Sequence, residues 1–429
     1  MRILTVCRDL SRGGTQRVAC TFSIAYKRAG HETAVLAWCG DGPRRASLEA
    51  AGIPVFSGAG GLAAAVAAAD AFRPDIIHMH RPGMRNDAET ELLRVLRRPD
   101  RRVLETNVFA RVDRSPAADL IDVHFQLSAW CMWRWRRWLG AERRQHAGVV
   151  VPNAVEVADF QRAPAGDIAA FRAANDIPAD AYVCGRVGQP AAANWHVQIL
   201  RAFDCLARRH PGAYLVLVGL PQNLLSDLES LPADVRRRVR RLPLTDSDRQ
   251  LSLIYSCLDC FIHAAHSGES FGLVLAEAML CGCPVVTASR PHKSNTPVEL
   301  VGHRRGGLVA GSAKRLPQAV LALWADQELR RSVAATARQW VESRYASDKV
   351  AATALRVAQL ALGCTDRRRL ISALEACGDL KTETTDAEIR ALLSDTLGGP
   401  DPLELLAMRI VHNPLVQRAI CAFLRWRYG

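Results

Sequence analysis

The sequence predicts an α/β protein of two doubly wound, Rossmann-like domains in tandem, followed by a helical C-terminal extension. Three observations lead there. Short apolar runs alternate with amphipathic helical stretches, the pattern of parallel βαβ units. The alternation breaks at "VVVPNAVEVADF", where Pro152 and Asn153 interrupt it, and then starts again. Beyond about residue 345 only helix-like segments remain. The predicted boundaries are therefore 1–152, 153–345 and 346–429.

In chain order, "RILTVC" reads as a strand, "RDLSRGGTQR" as a loop with two glycines, and "VACTFSIAYKRAG" as a helix closed by Gly30. "TAVLAW" is a strand, "ASLEAAGIPVF" a short helix and strand, and "GLAAAVAAADAF" an alanine-rich helix. "PDIIHMH" and "RVLETNVF" are further strands. After the break come the strand "AYVCGRVG", the helix "WHVQILRAFDCLARRH" and the strand "AYLVLVG". The helix "DRQLSLIYSCLD", the strand "CFIHAA", the helix "FGLVLAEAMLCG" and the strand "CPVVTA" complete the repeat. A cleft between two such domains is a natural place for a ligand. The last helix, after "LGGPDP", reads as an appendage.

Composition narrows the partners. The 429 residues carry a net charge of +13, and only five of the 56 basic residues are lysine. Such a chain favours anionic partners such as phosphates, nucleotides or an acidic membrane surface. Arginine abundance alone does not argue for nucleic acid, and none is expected as a partner. Thirteen scattered cysteines, an odd number with no dense framework, fit a reducing cytoplasm better than secretion. The N-terminus reads as a strand with no signal peptide before it. No apolar run is long enough for a spanning helix.

One stretch carries most of the chemistry. In "GESFGLVLAEAMLCGCPVV", Glu269 and Glu277 are embedded among apolar and small residues. A buried carboxylate is costly unless it is hydrogen-bonded. Gly282 and Pro284 end the helix in this stretch; Glu269 precedes that helix and Glu277 lies within it. Eight helical residues rise about 12 Å, so the two carboxylates cannot grip one atom but can grip two ends of an elongated ligand. Between them a helix N-terminus offers backbone N–H groups at Ser270, Phe271 and Gly272, an anion site. Hydroxyls at both ends with phosphate between describe a nucleotide diphosphate sugar. The plainer alternative is an exposed Glu269 and a Glu277 paired with a core arginine.

"ESFGLVLAEAM" followed by "GCPVV" resembles the E-x7-E signature of the GT4 (group 1) family of retaining glycosyltransferases, which have the GT-B fold. Six further pieces fall in the family's order over roughly residues 1–345: "RGGTQRV", "PDIIHMH", "VVPNAVEVADF", "CGRVG", "LVLVGLP" and "NTPVELVGHRRGGLV". The resemblance implies that Glu277 binds the ribose hydroxyls. It implies that Glu269 meets the donor sugar, helped by the N–H groups of Phe271 and Gly272. Arg186 would neutralise the diphosphate and so stabilise the leaving group. Gly13 and Gly14 would let the first loop approach a phosphate that a β-carbon would obstruct.

Two positions depart from the family pattern. Asn194, in "GRVGQPAAANWH", stands where a lysine is usual, and Lys293 or Arg290 of "SRPHKSN" would have to supply the missing cation. Asn107, in "LETNVFAR", stands where many members have an acceptor-site histidine. With the donor phosphate acting as base, that change touches acceptor choice more than chemistry. Asn107 and His80 are the acceptor-site candidates.

Other groups have plainer readings. Cys257, Cys260, Cys281 and Cys283 mimic a zinc spacing, but packing explains them better, and no metal is expected. His78 and His80 share one side of a strand end, where ordinary packing competes with catalysis. His263 and His266 just precede Glu269, within reach of a donor sugar. "WCMWRWRRWLGAERR" interleaves Trp130, Trp133 and Trp138 with Arg134 and Arg137, which suits a membrane interface, nucleic-acid stacking or a partly buried helix. The basic, amphipathic "NPLVQRAICAFLRWRYG" at the C-terminus adds to the membrane reading. "DVRRRVRRLP" reads as a solvated face.

These readings converge on a cytoplasmic enzyme, peripheral on the inner face of the membrane. It would move a sugar from a nucleotide diphosphate sugar to a glycan or lipid-linked acceptor, with retention and without a cofactor or metal, in cell-surface polysaccharide or lipopolysaccharide synthesis. A nucleotide-sugar epimerase of similar shape and a catalytically degenerate scaffold are the alternatives.

Overall fold

The computed structural model of the chain describes residues 1–245, 247–417 and 419. Two compact units emerge. The first comprises Met1–Val155, Tyr345–Asp386 and the described residues from His412; the second comprises Glu156–Arg344 and Ala387–Val411.

Among the described residues the first unit has seven strands: β1 (Arg2–Cys7), β2 (Glu32–Ala37), β3 (Val55–Ser57), β4 (Ile76–Arg81), β5 (Arg102–Asn107), β6 (Val123–Gln126) and β7 (Ala147–Val150). They pair in parallel in the order β3-β2-β1-β4-β5-β6-β7. The second unit has β8 (Tyr182–Val187), β9 (Ala213–Val218), β10 (Val239–Leu242), β11 (Cys260–His263), β12 (Gly268–Glu269), β13 (Val285–Ala288), β14 (Ser294–Asn295) and β15 (Gly307–Ala310). Six of these form a second parallel sheet, β10-β9-β8-β11-β13-β15, while β12 and β14 make a separate two-residue ribbon. Both sheets are doubly wound. Their strand order reverses between β1 and β4 and between β8 and β11, the points where such sheets bind ligands beyond their carboxyl ends.

The strands read as continuous apolar runs because helices cover both faces; every residue of β4 and β8 is buried. The helix Gln198–Ala207 shows the packing rule. Ile199, Leu200, Phe203 and Leu206 recur at helical spacing and enter a core with Leu215, Leu217, Ile262 and Val320. Each such side chain contributes about 1.5–3 kcal/mol on full burial. The first unit repeats the scheme with Leu4, Val6, Leu36, Ile77, Met79 and Leu93.

The tail does not form a separate extension. Residues 345–386 complete the first unit and 387–411 the second. Arg28 bonds Ser347 at 2.7 Å, and Arg102 donates to the carbonyls of Ala361 and Cys364 at 2.9 Å. Ala351, Ala354, Ala358 and Ala361 line the buried side of the helix Ser347–Gly363, and their small size allows close approach. Helical periodicity announces an apolar face but not which surface will cover it. The first helix also starts earlier than expected, at Gly14 rather than after Arg17. Among the described residues no helix is long and apolar enough to cross a membrane.

Candidate functional site

The second unit gathers most of the expected residues around the β8/β11 reversal. Arg186 is the penultimate residue of β8 and His263 ends β11. Glu269 lies on β12, held in register by the pairs Gly268–Ser294 and Glu269–Asn295. Gly268 has φ +74, and a β-carbon there would lie 2.3 Å from the Ser294 carbonyl oxygen. Only glycine permits that close approach.

The chain then turns through Gly272, at φ +95, into the helix Leu273–Leu280. A β-carbon on Gly272 would meet the Leu275 side chain at 2.7 Å and crowd Glu269 Cγ at 3.1 Å. Gly272 is the N-cap, so the unpaired N–H groups of the first turn begin at Leu273. The expected Ser270, Phe271 and Gly272 lead directly into this turn, and the Phe271 N–H helps to hold the Glu269 carboxyl down. The helix still presents its N-terminus beside Glu269.

Electrostatics set the character of this corner. The Arg186 side chain is almost fully buried and donates to the carbonyls of Val187 at 2.5 Å and Asn194 at 2.9 Å. Its Nε has no partner. Its guanidinium lies 5.1 Å from the Trp195 ring centre and 5.7 Å from that of Phe261. Burial lowers its pKa to about 10, against the opposing pull of Glu269 and Tyr255, so it stays charged at neutral pH. His263 Nε2 is 3.6 Å from Glu269, beyond hydrogen-bond range, and has no closer partner. Its Nδ1 lies 3.3 Å from the Thr287 hydroxyl. Burial and then Arg186 hold the imidazole down to about 4, so it is neutral. Burial pushes the Glu269 carboxyl up, but His263, Arg186 and the Phe271 N–H outweigh it and keep it below the usual range. The corner thus holds a carboxylate, a neutral imidazole and an arginine whose partners are carbonyls.

Glu277 is 3% exposed and accepts a 2.9 Å hydrogen bond from the Tyr255 hydroxyl. Glu269 is half-buried rather than exposed. Tyr255 was invisible in the sequence because only the packing of the helix Asp248–Ser256 against Leu273–Leu280 brings it near. Trp195, which faces Arg186, was likewise missed.

Asn194 contributes its backbone carbonyl to Arg186. Its loop is stitched to the segment before Glu269, since Ser267 N–H donates to Ala193 at 3.1 Å and His266 N–H to Trp195 at 3.2 Å. His266 therefore stacks on His196, with ring centres 6.2 Å apart, and Glu269's imidazole neighbour is His263. His196 and His266 help line a mostly apolar cavity of about 420 Å³. Arg290, a candidate for the missing cation, donates to Ala265 at 3.1 Å. Lys293 Cβ would lie 2.8 Å from a β-carbon on Gly268. Both basic residues border the Gly268–Glu269 ribbon.

The remaining candidates are in the first unit. Gly13 caps and Gly14 begins the first helix, Gly14–Arg28, with Gly13 in ordinary extended geometry. Asn107 closes on its own loop: its amide donates to Arg111 O at 2.8 Å and accepts from Arg111 N at 3.2 Å. His80 is buried beside Phe22 and His78, with neither ring nitrogen hydrogen-bonded. Burial holds it down to about 3. His78 is anchored by Tyr26 and Thr106, each at 2.9 Å.

The tryptophan–arginine stretch forms the helix Ala129–Leu139 and is a core helix, not a membrane face. Trp130 is 0%, Trp135 2% and Trp133 6% exposed. The Trp133 indole donates to Asp386 at 2.5 Å, and Arg136 donates to the carbonyls of Arg143, His146 and Thr382. An 880 Å³ recess beside this helix is lined by Arg136 and Arg137, which face Glu383 and Asp386. The C-terminal membrane segment falls largely on residues 418 and 420–429, outside the described residues. No three His, Cys, Asp or Glu side chains among the described residues are placed to hold a metal ion. Cys257, Cys260, Cys281 and Cys283 are buried, and burial keeps the thiols of Cys257 and Cys281 well up, at about 11 and 12.

The chain has two parallel-sheet Rossmann-like units and shares the GT-B fold of the solved structures below. Residues 167–340 match the family of glycosyl transferases group 1. It is 37% identical over 153 residues to a D-inositol 3-phosphate glycosyltransferase of Mycobacteroides abscessus, covering 34% of this chain and 32% of that protein. To the same enzyme of Segniliparus rotundus it is 32% identical over 190 residues, covering 42% and 40%. The matches thus span between about a third and two fifths of these relatives' length. In structure it is similar to HepE of Anabaena, solved with UDP and glucose, with a TM-score of 0.63, 20% identity and coverage of 84% and 99%. It is also similar to WaaG, a glycosyltransferase involved in lipopolysaccharide biosynthesis, with a TM-score of 0.54, 14% identity and coverage of 82% and 99%.

Proposed function

We propose that the chain is a retaining glycosyltransferase that moves a sugar from a nucleotide diphosphate sugar to a glycan or lipid-linked acceptor. The observation that carries this reading is the pairing of two environments along one helix. A carboxylate beside a buried arginine stands before its N-terminus, and a buried, tyrosine-held carboxylate sits further along it. Glu277 takes the ribose hydroxyls. Glu269 takes hydroxyls of the transferred sugar, with neutral His263 beside it as a hydrogen-bond partner. The positive field of Arg186 and the helix N-terminus faces the diphosphate and favours its departure as a leaving group. Because Arg186 is already held by two carbonyls, it acts mainly through that field. Direct contact would require the 188–194 loop to shift. No metal is invoked: fixed positive charge fills the role that a cation would otherwise have. In the first unit, Gly13 and Gly14 leave room for a phosphate, and His80 and Asn107 belong to the acceptor side.

Membrane attachment rests with the C-terminal segment in this reading. Leu403, Leu406 and Ile410 are 68%, 55% and 54% exposed along the helix Pro402–Val411. The sequence that follows carries Arg418, Arg425, Arg427, Phe423, Trp426 and Tyr428 and no acidic residue. Each arginine near an anionic surface contributes roughly 1 kcal/mol. Removing residues 414–429 should weaken sedimentation with acidic vesicles at low salt; no sedimentation of the intact chain would exclude the attachment. A polysaccharide or lipopolysaccharide pathway suits such an acceptor.

The enzymatic reading is tested by screening UDP-, GDP- and ADP-sugars for thermal stabilisation and slow donor hydrolysis. A hit with hydrolysis supports transfer. Stabilisation without turnover in the presence of acceptor glycans would favour the scaffold alternative, and no stabilisation by any would overturn the reading.

A further inference from the structure

The chain from residue 395 to 404 is fastened to the second unit at points that converge on the donor site. Asp395 faces Arg305 at 3.6 Å. Leu397 then bridges the edge strand β15, donating to Val309 at 2.7 Å and accepting from Gly311 at 3.1 Å. Arg315 donates to the carbonyls of Gly398 and Gly399. Asp401 caps the next helix, accepting from Leu403 N–H at 2.9 Å. The first turn of that helix delivers Glu404 to His292, with a carboxylate oxygen 2.5 Å from Nδ1.

His292 lies in the loop that joins β13 to β14. Inside this loop, Arg290 N–H donates to the Asn295 side chain at 2.6 Å, Lys293 N–H donates to Arg290 O at 2.9 Å, and Asn295 donates to Ser289 at 3.3 Å. The loop is therefore tight, and a pull on His292 moves it as one piece. Its far end, Ser294–Asn295, is the strand that pairs with Gly268–Glu269. The Gly268–Ser294 contact leaves no room for slack, since a single β-carbon would not fit. The Glu404 charge also acts on Arg290 and His196.

We propose that Glu404 is a positioning residue for the donor site: by holding His292 it fixes the 290–295 loop and, through the β12–β14 ribbon, the placement of Glu269. This rests on the transferase reading of Glu269. Glu277 is held by Tyr255 on the helix Asp248–Ser256, so the two ends of the ligand should respond differently.

The test uses the full chain with UDP and UDP-glucose as probes. Glu404→Ala should lower the turnover number for UDP-glucose hydrolysis on the order of tenfold, the scale of a modest misplacement at a reacting centre. UDP affinity should stay within about twofold, because the ribose end is untouched. Glu404→Gln keeps an oxygen acceptor for His292 and should recover most of the turnover, while Arg390→Ala, on the preceding helix, should change nothing. Equal losses in turnover and UDP affinity, or no loss, would overturn the proposal. Hydrogen exchange separates this from failure of the transferase reading, since it needs no activity. Glu404→Ala should speed exchange at 268–270 and 290–295 but not at 255–262. Unchanged exchange at 268–270 overturns the positioning role even in an active enzyme. Faster exchange in a chain that neither binds UDP nor hydrolyses UDP-glucose would sustain the coupling and count against the transferase reading alone.

Discussion

Two arginines, one in each unit, are buried to the same depth and do opposite things. Arg81 in the first unit meets Glu89 at 2.9 Å, Glu105 at 3.0 Å and Asp113 at 2.6 Å. Glu105 also holds His124 at 2.5 Å. Burial alone would lower the Arg81 pKa, but Glu105, Asp113 and Glu89 together hold it above the usual arginine range. Arg186 in the second unit has carbonyls for partners and is pulled down to about 10. One arginine is saturated with negative charge and fastens strand ends to loops. The other is left with charge to spare, at the end of the strand where this sheet reverses. A buried arginine is thus a cue to function only when the carboxylates around it are counted.

The largest effect should come from the saturated arginine. Arg81→Met strands buried carboxylates and should cost about 3–5 kcal/mol of stability, read as a lower denaturation midpoint. Arg186→Met should cost less stability, because no carboxylate loses a direct ion-pair partner. If the two variants lose equal stability, the contrast fails.

The next effect sharpens the contrast from the ligand side. Glu277→Ala should weaken nucleoside diphosphate binding by about 1.5–3 kcal/mol, the scale of a hydrogen bond to a charged group. Arg186→Met should weaken it by roughly 1.5 kcal/mol, at the low end of that range, since its field is partly spent on carbonyls. Arg81→Met should leave affinity unchanged at temperatures where it is folded. Isothermal titration of the three variants orders them.

At neutral pH the smallest effect belongs to His263. Its pKa is held down to about 4, from an unfolded value of 6.5. Between those pH values the unfolded chain takes up a proton that the folded chain refuses. Stability from this group is therefore complete above about pH 6.5 and is lost as pH falls toward 4. Glu269 acts in the same sense lower down, because its folded pKa is depressed. His263→Phe should flatten the stability profile between pH 6.5 and 4 and lower turnover without changing nucleotide affinity. An unaltered slope would mean that other buried histidines, His80 among them, set the acid limb.

The contrast between the arginines also marks how far the sequence could be read. Glu269, Glu277 and Arg186 were legible because they fall in short motifs whose local structure sets their neighbours. The repeated apolar runs likewise revealed both parallel sheets. Tyr255 and the Glu404–His292 pair were not legible, since they meet their partners 22 and 112 residues away, and Trp195 reaches Arg186 only through the conformation of the loop between them. The Trp130–Trp138 helix was ambiguous for a related reason. Tryptophan and arginine at helical spacing look alike at a membrane and in a core, and the difference lies in carbonyl partners such as those of Arg143 and Thr382.

The most direct measurement is calorimetric titration of the nucleoside diphosphate that matches the best donor, carried out on the wild type, Glu277→Ala and Glu269→Ala. The account predicts that Glu277→Ala binds at least about tenfold more weakly, while Glu269→Ala binds as tightly as the wild type yet turns over the sugar donor poorly. Equal binding by Glu277→Ala and the wild type, in folded protein, would contradict the assignment of this corner as a nucleotide-sugar site.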